Sequence, residues 1–205
     1  MIDWTIFIPA CFALNLAFGP NNLLAMTHGA KKGIVFAQKA AFGRLVVFVP
    51  MIAVSALGLG VILTASALVF GIVKAIGAAY LIWLGVSLWR SARTMEAGEI
   101  SIKPAGLRHA FRSEAMVALS NPKAILIFAA FFPQFVVLDF YWQSYAMLGA
   151  AFLLMEAVAI FAYAMAGRFA SNFASNKLPV MQRVSGITMC VFGILLLVSP
   201  QPSRS

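Results

Sequence analysis

Six apolar blocks, each close to the length that crosses a bilayer, occupy most of this chain: residues 4–26, 45–64, 67–89, 115–137, 142–166 and 184–200. About 20 helical residues span a hydrocarbon core roughly 30 Å thick, and only helices or closed barrels satisfy their own backbone groups there. The blocks are continuous rather than alternating, so the expected fold is all-α, a polytopic bundle of six transmembrane helices. Only 10% of the 205 residues are charged, against about a quarter in a soluble domain. The blocks leave no room for a separate soluble domain, and residues 1–205 read as one membrane unit.

The formal charge of +9 could suggest nucleic acid, but its placement argues for topology instead. Lys31, Lys32, Lys39 and Arg44 fall between the first and second blocks. Arg90, Arg93, Lys103, Arg108 and Arg112 fall between the third and fourth, and Arg168, Lys177 and Arg183 between the fifth and sixth. On the alternate side only Arg204 appears. Such an asymmetry marks the cytoplasmic face. It places both termini outside the cytoplasm and requires an even number of spans. The N-terminus lacks the basic start and small-residue cleavage site of a signal peptide, so the first block is expected to stay as a span.

Two blocks are broken in the middle. Gly19-Pro20-Asn21-Asn22 interrupts the first, and Asn121-Pro122-Lys123 interrupts the fourth. Proline lacks the N–H that a helix needs, and carbonyls freed in hydrocarbon must be satisfied by protein or by a water-filled cavity. Gly19 and Asn121 suit the N-cap, and each proline suits the first helical position behind it. Each break therefore ends one half-helix and starts another. If the fourth helix begins near Leu107, both breaks lie about fifteen residues from their helix starts.

The polar connection 90–112 divides the chain into a first half of about 1–89 and a second of about 113–200. Three spans per half force the halves to cross the membrane in opposite directions. The expected arrangement is a 3+3 inverted repeat with helices 1 and 4 broken, the pattern in which transporters build a midplane site. Gly71, Gly77 and Gly85 read as sites of close helix approach in the third span. Pro50 reads as a kink and Pro133 as a late break. Cys11 and Cys190 have no CxxC spacing and read as core residues; His28 and His109 read as surface residues in the cytoplasmic connections, and Gly29 and Gly33 as part of a basic connection. No metal-binding cluster and no cofactor motif is expected.

At these residues the chain resembles the LysE/RhtB family of bacterial amino-acid exporters. The carriers are Gly19 through Leu24, His28-Gly29-Ala30 with Gly33, Lys74 through Gly85, Asn121-Pro122-Lys123-Ala124, and Phe131 through Phe135. The resemblance covers nearly the whole length. One departure is Phe18, where the family commonly has a proline before the Gly-Pro pair. The resemblance implies a multi-pass protein of the bacterial inner membrane that exports amino acids or close derivatives, driven by the proton motive force. Its partners would be a small-molecule substrate, protons and the lipid bilayer, with a homo-oligomer open. Nucleic acid is not among them, and no enzymatic activity is implied.

A zwitterionic substrate needs one place for a carboxylate and one for an ammonium. The helix starts after Pro20 and Pro122 are positive dipole ends. With Asn21, Asn22, Asn121 and Lys123 they form the expected carboxylate site; the plainer reading is that the asparagines cap freed backbone and Lys123 reaches toward the cytoplasm. Glu156 reads as the only acid well inside a span, and an acid there usually faces the bundle interior and acts. The expectation is that it alternates between a proton and the substrate ammonium, against a structural ion pair with Lys74 or Lys123. Lys74 is a further candidate for the site. Gln38, Lys39 and Arg44 read as cytoplasmic-face residues. A single buried acid favours a neutral amino acid over a dibasic one. Competing readings are a passive channel and a six-span thiol-redox carrier. The second lacks a cysteine beside either proline.

Overall fold

A computed structural model of the chain describes residues 1–65, 67–91, 106–169 and 171–198. Every regular element among them is helical. Eight α-helices follow in order: α1 (Trp4–Leu16), α2 (Pro20–Lys32), α3 (Ile34–Ala65), α4 (Ala67–Ser91), α5 (Leu107–Leu119), α6 (Pro122–Leu126), α7 (Tyr141–Phe169) and α8 (Ser171–Val198). Between α6 and α7 the chain passes through a π-helical turn at Ile127–Phe131 and 3-10 turns at Phe132–Phe135 and Leu138–Phe140. Arg93, Lys103 and Arg204 of the charge pattern lie outside the described residues.

Both breaks form as their residues dictate. Gly19 is the N-cap of α2 with Pro20 directly inside, and α1 and α2 meet at a bend of 62°. Asn121 is the N-cap of α6, its side chain accepting from the Lys123 N–H at 3.1 Å, and the second bend is 50°. The half-helices that lead into the breaks, α1 and α5, are each 13 residues long. The lead-in at Leu107 is therefore part of the broken element. Pro133 falls where the π turn gives way to a 3-10 turn and the element ends, whereas Pro50 lies inside an uninterrupted α3. Among the described residues, α3 and the region Leu138–Phe169 are long and apolar enough to cross a membrane, and each bent pair would make another span.

The distribution of polarity is inverted relative to a soluble protein. Val35, Phe42, Val54, Leu57, Trp83, Trp142 and Leu154 are exposed, while Asn15, Asn21, Asn22, Arg44, Glu114, Asn121 and Glu156 are buried. An exterior of this kind fits hydrocarbon, and the chain is a membrane protein. One apolar cluster joins α1, α3, the turns after α6, and α7 through Phe7, Phe48, Phe128, Phe132 and Phe152. The rings of Phe128 and Phe152 meet edge to face at 4.9 Å, a favoured aromatic geometry.

Close packing relies on small residues. A Cβ on Gly85 would lie 2.5 Å from the Gly186 carbonyl, so α4 and α8 touch backbone to backbone. Gly77 is pressed against the Ala130 methyl, which a Cβ there would meet at 2.5 Å. Gly29 belongs to this set and not to a surface connection: α2 extends to Lys32, and a Cβ there would meet the Ala164 carbonyl of α7 at 2.2 Å. Gly167 on α7 is as tight against Met26. The turn from α2 into α3 is carried by Gly33 at φ 86, a conformation that disfavours any side chain.

Candidate functional site

The backbone carbonyls freed at the first break define what surrounds it. The Asn22 amide donates to Asn15 O at 2.9 Å and Ala17 O at 3.0 Å. The Lys123 ammonium reaches across from the second break and donates to Ala17 O at 2.9 Å and Leu14 O at 3.2 Å. Lys123 is 9% exposed and points inward. The Tyr163 hydroxyl on α7 donates to Leu16 O at 2.6 Å. The two breaks are also joined directly, because the Asn121 amide donates to Asn21 Oδ1 at 3.1 Å.

The charged centre of the site is Arg44, which is completely buried. Its Nη1 donates to Glu156 Oε1 at 2.8 Å and to Asn22 Oδ1 at 3.0 Å. Its Nε lies 3.2 Å from Glu114 Oε2. Asn21 then closes the ring, donating to Glu114 Oε2 at 3.2 Å and to the Glu114 carbonyl at 3.1 Å. His28 Nδ1 approaches the other Glu114 oxygen at 3.6 Å. Removing charges from water costs several kcal/mol each, so such residues persist only as a paired set. Here the two basic groups, Arg44 and Lys123, face two carboxylates, Glu114 and Glu156.

These positions correct four sequence readings. Arg44 is not on the cytoplasmic face: α3 starts at Ile34, so Arg44 sits in its third turn, where carboxylates from α5 and α7 neutralise it. The positive-inside asymmetry survives without it. Glu114 is a second buried acid, hidden from the sequence because it lies on the amphipathic lead-in helix beside Arg108 and Arg112. His28 is buried, since α2 carries it against Phe36 and Glu114. The ion-pair partner of Glu156 is Arg44, not Lys74 or Lys123. The one signal available for Arg44 was a lone arginine within an otherwise apolar helical run.

A small cavity lies at the meeting point, lined by Asn21, Asn22, Arg44, Lys123 and Glu156 with Phe48 and Phe152 closing one side. Its free space is about 10 Å³, enough for about one water. Pro20 and Pro122 shape it through the helix starts they impose; of the two caps, Gly19 and Asn121 both reach its wall. Lys74 is buried on α4 and does not line it. Neither cysteine lines it: Cys11 packs in the aromatic cluster, and Cys190 Sγ faces Ile82 O at 3.6 Å.

Broken helices around a buried polar cavity are the arrangement in which membrane transporters place a binding site. The chain belongs to the LysE type translocator family, whose sequence profile matches residues 12–200. It is 35% identical to an uncharacterized membrane protein of Pseudomonas aeruginosa over 76% of this chain and 71% of that one. It is 30% identical to a homoserine/homoserine lactone efflux protein of Salmonella typhimurium over 94% of this chain and 95% of the relative. A leucine efflux protein of Salmonella choleraesuis is 29% identical over 65% of this chain and 62% of its own length. No solved structure matches the chain.

Proposed function

We propose that the protein is a secondary active exporter of neutral amino acids in the bacterial inner membrane, working by alternating access and driven by the proton motive force. The observation that carries this reading is the balanced set of Arg44 and Lys123 against Glu114 and Glu156 around one cavity at two helix breaks. A zwitterion can exchange with such a set without leaving net charge in hydrocarbon. A dibasic substrate would add an uncompensated cation. The efflux proteins for homoserine and leucine among the relatives fit a neutral substrate.

In this reading the substrate carboxylate takes the positive side of the cavity: Arg44, Lys123, the Asn21 and Asn22 amides, Asn121, and the helix starts after Pro20 and Pro122. The ammonium takes Glu156, which carries a proton on the return half of the cycle. Because Lys123 and Asn22 also hold the freed carbonyls of the first break, substrate that competes for them loosens that break. This links occupancy to the angle between α1 and α2. Lys74, away from the cavity, is left a supporting role in α4. A cavity of about 10 Å³ is an occluded state, which gives no support to an open pore.

Several contacts between the halves support reading them as an inverted repeat. The α3–α7 and α4–α8 contacts each join equivalent helices, and the α1–α7 contact has its counterpart in α5–α3. The charge asymmetry then puts both termini on the non-cytoplasmic side.

The deciding experiment measures uptake of labelled homoserine, threonine, leucine and lysine into everted vesicles, with and without a protonophore. Uptake of a neutral amino acid, abolished by the protonophore and by Glu156→Gln or Lys123→Ala in correctly inserted protein, is expected. Uptake indifferent to the protonophore would identify a passive pathway, and normal rates in both variants would remove these residues from the mechanism.

A further inference from the structure

The contact between His28 and Glu114 is not needed to bind a zwitterion, yet both side chains are buried in the network. His28 Nδ1 and Glu114 Oε1 are sealed from solvent, and neither has a hydrogen-bond partner among the described residues. They face one another at 3.6 Å. A bare imidazole nitrogen and a carboxylate oxygen would both be acceptors and repel. A proton between them turns the contact into a charge-assisted hydrogen bond after a small approach. The His28 side chain is 9% exposed while its Nδ1 is sealed, so that exposure belongs to its other side-chain atoms. The Nδ1 edge of the ring looks into the network, near the C-terminal end of α2.

We propose that His28 is a proton relay between Glu114 and the aqueous space at the Lys31–Lys32 end of α2. This rests on the exporter reading and adds the exit route of the coupling proton. A protonated Glu114 has lost its ion pair with Arg44. It passes its proton from Oε1 to His28 Nδ1 as the other ring nitrogen releases a proton to water. The carboxylate left behind re-pairs with Arg44 and accepts from the Nδ1–H, which is the resting arrangement; before the next turn the ring swings out, exchanges that proton with water for one on its other nitrogen, and returns. Charge and protons balance at every point. The charged groups around His28 fit one-way use. From α5 there is Glu114, and from α3 there is Arg44 beyond it. Lys31 and Lys32 on α2, Lys39 on α3 and Arg168 on α7 are exposed, with Lys32 Nζ 4.8 Å from the centre of the Phe36 ring that packs against His28. A carboxylate thus lies on the inner side of the imidazole and water with cations on the outer side.

The relay makes a demand that a packing histidine would not. In full-chain protein carrying His109→Gln to leave one histidine, the nitrogen-15 spectrum of His28 should show a proton on Nδ1. An Nδ1 without a proton would overturn the proposal. In everted vesicles, uptake of labelled homoserine driven by a pH gradient should fall about a hundredfold in His28→Gln, the lower end of what a positioned proton-transfer group contributes. Homoserine exchange without a gradient should continue. Equal loss of both activities, or loss of neither, would overturn the relay. If the unaltered protein moves no amino acid at all, the exporter reading fails separately, and the Nδ1 spectrum still decides the contact.

Discussion

Arg44 on α3 and Glu156 on α7 are joined by a 2.8 Å hydrogen-bonded ion pair at the centre of the bundle. The same guanidinium holds Glu114 of α5 through its Nε at 3.2 Å. One arginine therefore ties two helices from the second half of the chain, α5 and α7, to the first-half helix α3. Breaking a buried pair by removing one partner costs about 3–5 kcal/mol, because a charge is left alone. Arg44→Gln should lower the thermal unfolding temperature in detergent and the inserted yield by that order. Arg44→Lys should recover only part, since an ammonium does not reproduce the fork geometry. Full stability in Arg44→Gln would show that the carboxylates are solvated.

Asn21 links the breaks through Asn121 and also anchors Glu114. Asn21→Ala leaves buried polar groups unpaired on two elements, at about 1–3 kcal/mol. Asn121→Ala should cost less if the Asn21–Glu114 bonds remain. A double variant worse than Asn21→Ala only by the lost cap on the Lys123 N–H, about 1 kcal/mol, is the expected outcome of a thermal-shift cycle, and full additivity of the two costs would argue against a shared chain of bonds.

The α2–α7 contact predicts a sharp contrast among glycines. Gly167→Ala would place a methyl 1.9 Å from Met26 O, and Gly29→Ala one 2.2 Å from Ala164 O. Each should force the helices apart and destabilise by about 1–3 kcal/mol. Gly58 has open space around its would-be Cβ, so Gly58→Ala should be neutral or stabilising by up to about 1 kcal/mol through helix propensity. Equal effects at the three positions would contradict the packing.

Phe18 occupies the position where a proline was expected from the family pattern, and its N–H donates to the Ser185 hydroxyl of α8. A proline there would have no N–H to give. Ala17 already has φ −58 and ψ 128, the extended geometry that precedes proline comfortably. Phe18→Pro should therefore cost little beyond this bond and the lost ring contact with Tyr163. Ser185→Ala should cost about 0.5–1.5 kcal/mol, and in Phe18→Pro the same change should cost much less. Equal cost of Ser185→Ala in both backgrounds, read by thermal shift, would disprove the coupling.

The sequence by itself determined the helices and their interruptions, because those follow from local chemistry. Apolar runs of bilayer length, the caps Gly19 and Asn121, and prolines at the first helical position act within a few residues of themselves. The lead-in helix from Leu107 and the end of the broken element near Pro133 follow from the same local rules. What only the tertiary structure decided is which polar side chains meet. Glu114 and His28 have the local surroundings of cytoplasmic connections, and Arg44, though followed by an apolar run, comes after the basic residues Lys31, Lys32 and Lys39. Arg44, Glu114 and His28 are buried because α3 begins eleven residues earlier than its apolar block, at Ile34 rather than 45, and because α5 and α7 bring carboxylates from 70 and 112 positions away. Burial of a charge depends on a partner distant in sequence, and no local pattern encodes that partner.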